Sequence, residues 1–335
     1  MTRSYVDEQY FVHFFNALVK SERFSVEEDQ RRTMLEYFKS KTDIYIDENF
    51  EAILQNFDNS LRSVIAPILN ELTTGRNGTS VHSSQRNKFS DLKNVDLYSR
   101  LNYPFFSFWL GNKYKHSIEK YCEYNPYYFL TKENDMDKWK SLSATKTFYV
   151  GPNTKSDNNE VLKSWDQLKQ FSHQTNDLII NDRYCLKDAT GIEANIIPLI
   201  VNLSNKIQNI LIFVEMFKPG DGFNLTETYD GLKTLLLNNN ISANLIIYQS
   251  HKTHHSRVVL TNNFLLKSDD SFDYFNLDGT YKTKGSSLKI EPIFKVNRAE
   301  LGDLIKTCTD IIKKTEPANF IGEKSKNMLD LIETA

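Results

Sequence analysis

The chain has 335 residues, of which 40% are hydrophobic and 25% are charged, and its formal net charge is −2. This length exceeds one typical domain, so we expect two folded units, while the charge excludes a protein-wide basic surface and restricts any nucleic-acid contact to a local patch. Three widely spaced cysteines, a polar start and the lack of an apolar run of about 18 residues predict a soluble, cytoplasmic protein without disulfides.

Residues 1–144 carry mainly helical patterns. An apolar stripe runs through residues 4–20, and Ser25 with Glu28 forms a capping box that opens the next helix. A long apolar-periodic segment follows Asp47, and another helix is predicted from about Ser107 to Tyr124. The sequence therefore predicts an N-terminal all-α domain over residues 1–144.

A polar loop at residues 73–94 interrupts this domain. It contains two glycines and four cations, namely Arg76, Arg86, Lys88 and Lys93. One interpretation is a plain surface loop, and the other is a basic loop that orders on a nucleic-acid strand.

From Thr145 the pattern changes to alternating strands and helices. Predicted strands include KTFYV, NDLIINDRYCL, QNILIFVEMF, ANLIIYQS, SRVVLTNNF and SLKIEPIFKV, with helical patterns between the earlier ones. This β-α-β order predicts a mainly parallel sheet with flanking helices, which is an α/β domain over residues 145–296. Residues 297–335 are again helical in pattern and are predicted to pack on that domain as a tail.

Polar residues cluster where these strands end. Asp182 and Arg183, residues 215–218 and residues 249–255 all lie at or just beyond a strand end. Because ligands of open α/β sheets bind at the carboxyl ends of the strands, we expect the site at this edge.

The last of these groups contains His251, His254 and His255, followed by Arg257. Imidazoles suit Zn²⁺ and other transition metals, but a carboxylate such as Asp182 or Glu215 would have to join them. The alternative is a polar loop that joins two strands, and we predict no metal.

A metal-dependent nuclease is a further alternative, with Asp182, Glu193, Glu215 and Lys218 as its carboxylate and lysine set. Glu215 and Lys218 are three residues apart, whereas one face of a strand repeats every two residues. This spacing argues against that motif.

Residues 177–275 resemble one half of the phospholipase D-like fold, in its single-copy branch related to the C-terminal domain of MIT-domain proteins. The resemblance is carried by an Asp-aromatic strand, a His-x-Arg strand, an Asn pair, a Leu-Lys pair and an aromatic ending: residues 181–186, His255-Ser256-Arg257, Asn262-Asn263, Leu266-Lys267 and Phe272-Asp273-Tyr274-Phe275.

The resemblance implies covalent phosphodiester chemistry in active relatives, which carry His-x-Lys, four residues and then Asp. Their His attacks phosphorus, the Lys holds the phosphate and the Asp orients the His. This chain has His255-x-Arg257, four residues and then Asn262. Arg retains bidentate phosphate binding, but Asn removes the charge that favours a protonated imidazole.

The first functional hypothesis is therefore a degenerate site that recognises phosphate, most directly that of DNA or RNA. Its key residues are His255 and Arg257, with further phosphate contacts from Asn262, Lys267, Asp182, Arg183, His251 and His254, and no cofactor is implied. The alternatives are a metal-independent phosphodiesterase or nuclease with His255 as nucleophile across a homodimer, and a protein-interaction subunit with a vestigial site.

The resemblance also implies partners. Single-copy domains of this kind occur in bacterial defence and mobile-element systems, and we expect this chain to be a homodimer or a subunit of a complex. Some relatives bind phosphoinositide membranes, but no amphipathic basic helix supports that here.

Overall fold

The structure is a computed structural model, and it describes residues 2–73, 81–83, 106–111, 128–152, 160–172, 175–203, 206–217, 222–251 and 257–322. The chain divides into two compact units, Met1–Ala144 and Thr145–Ala335. Each unit is built on its own β-sheet. None of the helices in these ranges combines the length and apolar composition needed to cross a membrane.

A parallel sheet forms the centre of the N-terminal unit. Its strands are β1 (Thr2–Val6), β2 (Thr42–Ile46), β3 (Val81–Ser83), β4 (Phe106–Leu110) and β5 (Tyr128–Thr131). They lie in the order β3-β2-β1-β4-β5, and every neighbouring pair is parallel.

Helices follow or connect these strands: α1 (Glu8–Lys20), α2 (Val26–Ser40), α3 (Phe50–Leu54), α4 (Asn59–Thr73) and α5 (Asp135–Ser143). The Ser25 side chain accepts a hydrogen bond from the Glu28 amide, as the predicted cap requires. Buried aromatic rings fill the core, and Trp109 of β4 packs against Trp139 of α5 with ring centres 5.5 Å apart.

The predicted all-α character of residues 1–144 is wrong, because this unit contains five parallel strands. Ser107, predicted to begin a helix, lies in β4, and the predicted loop at residues 73–94 contains β3. Short apolar runs have no periodicity that separates a buried strand from part of a buried helix. Apart from residue 73 and β3, that loop lies outside the described residues.

Asp7, the N-cap of α1, is buried and accepts a hydrogen bond from the Gln9 amide. Burial raises its pKa from the ordinary 3.8, although the amides of Gln9 and Gly111 oppose this shift. The folded state therefore favours the protonated form of Asp7 more than the unfolded chain does. Stability from this group is present below its unfolded pKa and is lost as the pH rises through the raised folded value.

We accordingly expect Asp7→Asn to stabilise the N-terminal unit at neutral pH, because Asn caps as well as Asp without a buried charge. Urea unfolding of both proteins at about pH 4 and about pH 7 tests this, since the advantage should shrink at the lower pH. An equal difference at both pH values would contradict it.

A mixed sheet forms the centre of the C-terminal unit. Its strands are β6 (Lys146–Val150), β7 (Glu160–Val161), β8 (Asp177–Asn181), β9 (Asn209–Val214), β10 (Asn244–Gln249), β11 (Arg257–Thr261), β12 (Phe264–Ser268), β13 (Ser286–Pro292) and β14 (Phe320–Ile321). They lie in the order β14-β10-β9-β8-β11-β12-β13-β6-β7.

The prediction of a mainly parallel sheet is correct only for its centre. β8, β9 and β10 are parallel, and so is the short β6–β7 pair. All other neighbouring pairs among the described strands are antiparallel. Only Asn262 and Asn263 separate β11 from β12, and a connection that short can join only antiparallel strands.

Helical segments flank this sheet: a 3₁₀ helix (Trp165–Phe171), α6 (Ala189–Gly191), a π-helical turn (Ile192–Ile196), α7 (Ile197–Leu203), α8 (Leu225–Asn238) and α9 (Arg298–Lys314). The predicted helical tail is helical through α9. The chain then returns to the sheet, where β14 pairs antiparallel with β10. Residues 323–335 lie outside the described part.

Candidate functional site at the carboxyl edge of the central strands

The carboxyl ends of β8, β9 and β10 meet at one edge of the sheet. Asp182 and Glu215 extend the pairing past the strand ends, with Asp182 N donating to Phe213 O (3.1 Å) and Glu215 N to Arg183 O (3.1 Å). β11 is antiparallel to β8, with Val258 opposite Asn181, so Arg257 enters the sheet at this same edge. Four consecutive strands therefore bring their polar end residues together.

Asp182 is fully buried at this edge. One carboxylate oxygen accepts from the Tyr184 amide (3.0 Å), and the other accepts from Ser271 Oγ (2.8 Å) and the Phe272 amide (2.7 Å). Burial raises the pKa of Asp182, opposed by these hydrogen bonds and by the charge of Arg257. The carboxylate thus ties the segment after β12 to the edge and attracts the guanidinium.

Arg257 is half-buried at the first position of β11. One terminal nitrogen donates to the carbonyl oxygen of Asp269 at 3.1 Å. Its Nε is buried and has no hydrogen-bond partner among the described residues. An Arg fork that is held from one side and still has a donor to satisfy is suited to bind an oxyanion.

Glu215 lies between the next two nitrogen-bearing side chains along the edge, those of Arg183 and His251. Arg183 Nε lies 3.3 Å from one of its oxygens, and His251 Nδ1 lies 3.8 Å from the other. The His251 side chain is 70% exposed, so this end of the cluster is open to solvent. Asp182, Arg183, His251 and Arg257, all predicted site residues, are therefore at one edge.

Asn262 and Lys267 do not lie there. Asn262 follows the far end of β11, about 17 Å from Arg257 at the usual rise per residue. Its Oδ1 accepts from the amides of Asn176 (2.9 Å) and Asp177 (3.0 Å), which fixes the start of β8. Lys267 pairs with Val258, the neighbour of Arg257, so its side chain is on the opposite face of the sheet.

Lys267 forms ion pairs on that opposite face with Glu291 (2.9 Å) and Glu300 (2.7 Å). Partial burial by itself lowers its pKa, but the hydrogen bonds to these carboxylates outweigh that and raise it. Asn262 and Lys267 therefore both have contacts within the fold that explain their positions without a bound phosphate.

His254 and His255 lie outside the described residues, as does Lys218. Glu193, the other member of the hypothetical carboxylate set, is exposed in the π-helical turn. Among the described residues no three His, Cys, Asp or Glu side chains are arranged to hold a metal ion.

Asn195 was not predicted from the sequence as a site residue. Its side chain holds the Phe272–Phe275 segment beside the site through hydrogen bonds. Its Oδ1 accepts from the amides of Tyr274 (3.0 Å) and Phe275 (2.9 Å), and its Nδ2 donates to Asp273 Oδ1 (3.0 Å). The sequence feature that could have identified it is a single amide side chain within the apolar helical segment GIEANIIPLIV, where a buried polar group needs hydrogen-bond partners.

No protein-family model matches this chain, and neither does any curated protein. Among solved structures it is similar to polyphosphate kinase from Porphyromonas gingivalis, with a TM-score of 0.33 and 11% identity over 77% of this chain and 35% of that one. It is also similar to a mutant of yeast tyrosyl-DNA phosphodiesterase, with a TM-score of 0.21 and 12% identity over 44% of this chain and 32% of that one.

The chain spans about a third of the length of either of these proteins. A TM-score below 0.5 is too low to assign a fold, so the phospholipase D-like assignment of residues 177–275 stays a prediction.

Proposed function

We propose that the C-terminal unit binds phosphate groups of a nucleic acid at the carboxyl edge of β8, β9 and β10. The observation that carries this proposal is the state of Arg257. Its guanidinium donates to the Asp269 carbonyl and is attracted by the buried Asp182 carboxylate, and its buried Nε lacks a partner among the described residues. A phosphate oxygen would satisfy that donor with a charge-assisted hydrogen bond.

Neighbouring groups support the same assignment. Arg183 adds a second guanidinium at the end of the adjacent strand, and Glu215 holds it in place at 3.3 Å. The whole chain is slightly acidic, so attraction for a polyanion has to come from such a local pair. We choose nucleic acid over a phosphoinositide membrane because the predicted helices include no amphipathic basic face.

The test is binding of labelled single-stranded DNA and RNA, measured by mobility shift at about 50 and about 200 mM salt. Arg257→Ala should weaken binding about tenfold to a hundredfold, since it removes charge-assisted hydrogen bonds. It should also lower the salt dependence by about one phosphate contact. The exposed Arg298→Ala in α9 is the matched control and should bind like the wild type.

Equal binding by Arg257→Ala and the wild type would overturn the proposal. The same assay, run with EDTA, separates binding from the second candidate function, a metal-independent phosphodiesterase. That candidate is supported by the position of Arg257, which follows His255 by two residues in the chain. Cleavage in EDTA that His255→Ala abolishes would favour the enzyme over the binding module.

A further inference from the structure

A cleft of about 520 Å³ lies next to the candidate site, between the carboxyl end of β10 and the C-terminal half of α9. Its rim includes His251, the residue 3.8 Å from Glu215 at the open end of the polar cluster. The cleft and the proposed phosphate site are therefore continuous. Its volume is within the usual range for small-molecule sites.

The lining of this cleft is both apolar and hydrogen-bonding. Met216 and Ile311 supply apolar surface, while Gln249 and Asn319 supply side-chain amides. Such amides pair with the donor and acceptor pattern on the edge of a nucleobase, and apolar side chains cover its faces.

The charges around the cleft do not favour a second phosphate. Asp310 and Lys314 neutralise each other in an ion pair of 3.3 Å, and the remaining charged lining residue, Glu316, is acidic. Arg183 and Arg257, the cations of the edge, do not line it. The side chains at the strand edge are therefore suited to phosphate, whereas those of the cleft on the other side of His251 are suited to a base.

We infer that this cleft binds an unpaired base of a single-stranded oligonucleotide whose backbone crosses the ends of β11, β8, β9 and β10. This inference rests on the proposed phosphate-binding function. Arg257 and the end of β10 are three strand spacings apart, about 14 Å. Even in a stacked strand one nucleotide advances only about 3.4 Å, so a ligand that reaches both points spans more than one nucleotide and is an oligonucleotide, not a mononucleotide.

We infer a single strand because a base has to leave the stack to enter a cleft, and the free-energy cost of this is smallest when the base is unpaired. Backbone contacts at Arg257 and Arg183 would set the direction of the strand. The base in the cleft would add affinity beyond that of the phosphates.

The experiment compares a short labelled DNA strand with an abasic strand of the same length and backbone, using fluorescence anisotropy. The wild type should bind the abasic strand about tenfold more weakly, as expected when one base loses its contacts. Thr307→Trp places a bulky ring at the cleft wall and should reduce binding of the normal strand to the abasic level, leaving abasic binding unchanged.

Thr309→Trp is the matched control, because Thr309 is on the same helix and does not line the cleft. Asn319→Ala removes one amide without adding bulk, so it tests the cleft even if Thr307→Trp does not fold. It should also weaken binding of the normal strand selectively.

Two failures are distinguishable. If both strands bind the wild type equally and the cleft variants change nothing, the base site is refuted while the phosphate site stands. If neither strand binds, or if Arg257→Ala leaves both affinities unchanged, the phosphate site fails and the base site fails with it.

Discussion

Asn195→Leu should destabilise the C-terminal unit by about 3–5 kcal/mol. Leu fills similar space but cannot replace the hydrogen bonds of the fully buried amide. The amides of Tyr274 and Phe275, the Phe275 carbonyl (2.9 Å from Nδ2) and the Trp165 indole N–H (3.2 Å from Oδ1) would lose their partner. Each buried polar group without a partner costs about 1–3 kcal/mol, although relaxation recovers part of the sum.

The measurement is urea unfolding of the full chain together with amide hydrogen exchange at Tyr274 and Phe275, whose protection should fall. Asn238→Leu is the control, because Asn238 is exposed at the end of α8 and should change stability by no more than about 0.5 kcal/mol. Similar small changes for both variants would mean that the amide is not the anchor of this segment.

The loss should also reach the candidate site. The segment that Asn195 holds begins with Phe272, whose amide donates to Asp182 at 2.7 Å. Loosening it removes one of the hydrogen bonds that orient the Asp182 carboxylate toward Arg257. We therefore expect Asn195→Leu to weaken nucleic-acid binding even under conditions in which the unit remains folded.

Asp135→Ala should destabilise the N-terminal unit by about 3–5 kcal/mol, the usual cost of removing one partner of a buried ion pair. Asp135 is buried at the start of α5, where its Oδ2 accepts from the Tyr10 hydroxyl (2.9 Å) and lies 3.6 Å from the Arg31 guanidinium. Arg31 is itself buried and, of its acidic partners among the described residues, would retain Glu27, at 3.1 Å. The variant therefore leaves the buried Arg31 guanidinium with one of its two carboxylate partners.

Intrinsic fluorescence reports this transition, because Trp109 and Trp139, two of the three tryptophans of the chain, are buried in the N-terminal unit. Asp137→Ala is the matched control. It removes a carboxylate from the same first turn of α5, so it has the same effect on the helix dipole, but Asp137 is exposed. Equal unfolding midpoints for the two variants would refute a special role for Asp135.

Several features of the C-terminal unit were readable from the sequence. The apolar runs of β8, β9 and β10, separated by helical patterns, predicted parallel strands, and the structure confirms these three as the centre of the sheet. Parallel strands bring their carboxyl ends to one edge, so the grouping of Asp182, Glu215 and His251 followed from order along the chain. The function of that group remains a proposal.

Other features depended on pairing between distant segments. The motif places Arg257, Asn262 and Lys267 within eleven residues, but a strand rises about 3.3 Å per residue and alternates its faces. Asn262 is therefore at the far end of β11 from Arg257, and Lys267 is on the opposite face of the sheet. Only the register of β11 with β8 and β12 decides which residues share a site.

The N-terminal sheet and the role of Asn195 also separate what local sequence determines from what contacts between distant segments determine. The sequence determined where chain segments are apolar, where helices are capped and which polar residues end the central strands, because these properties depend on neighbours along the chain. The tertiary structure alone decided that TRSYV and FSFWL pair as strands and that a buried amide anchors a segment about 80 residues away. Those outcomes depend on hydrogen bonds and burial between segments that no local pattern encodes.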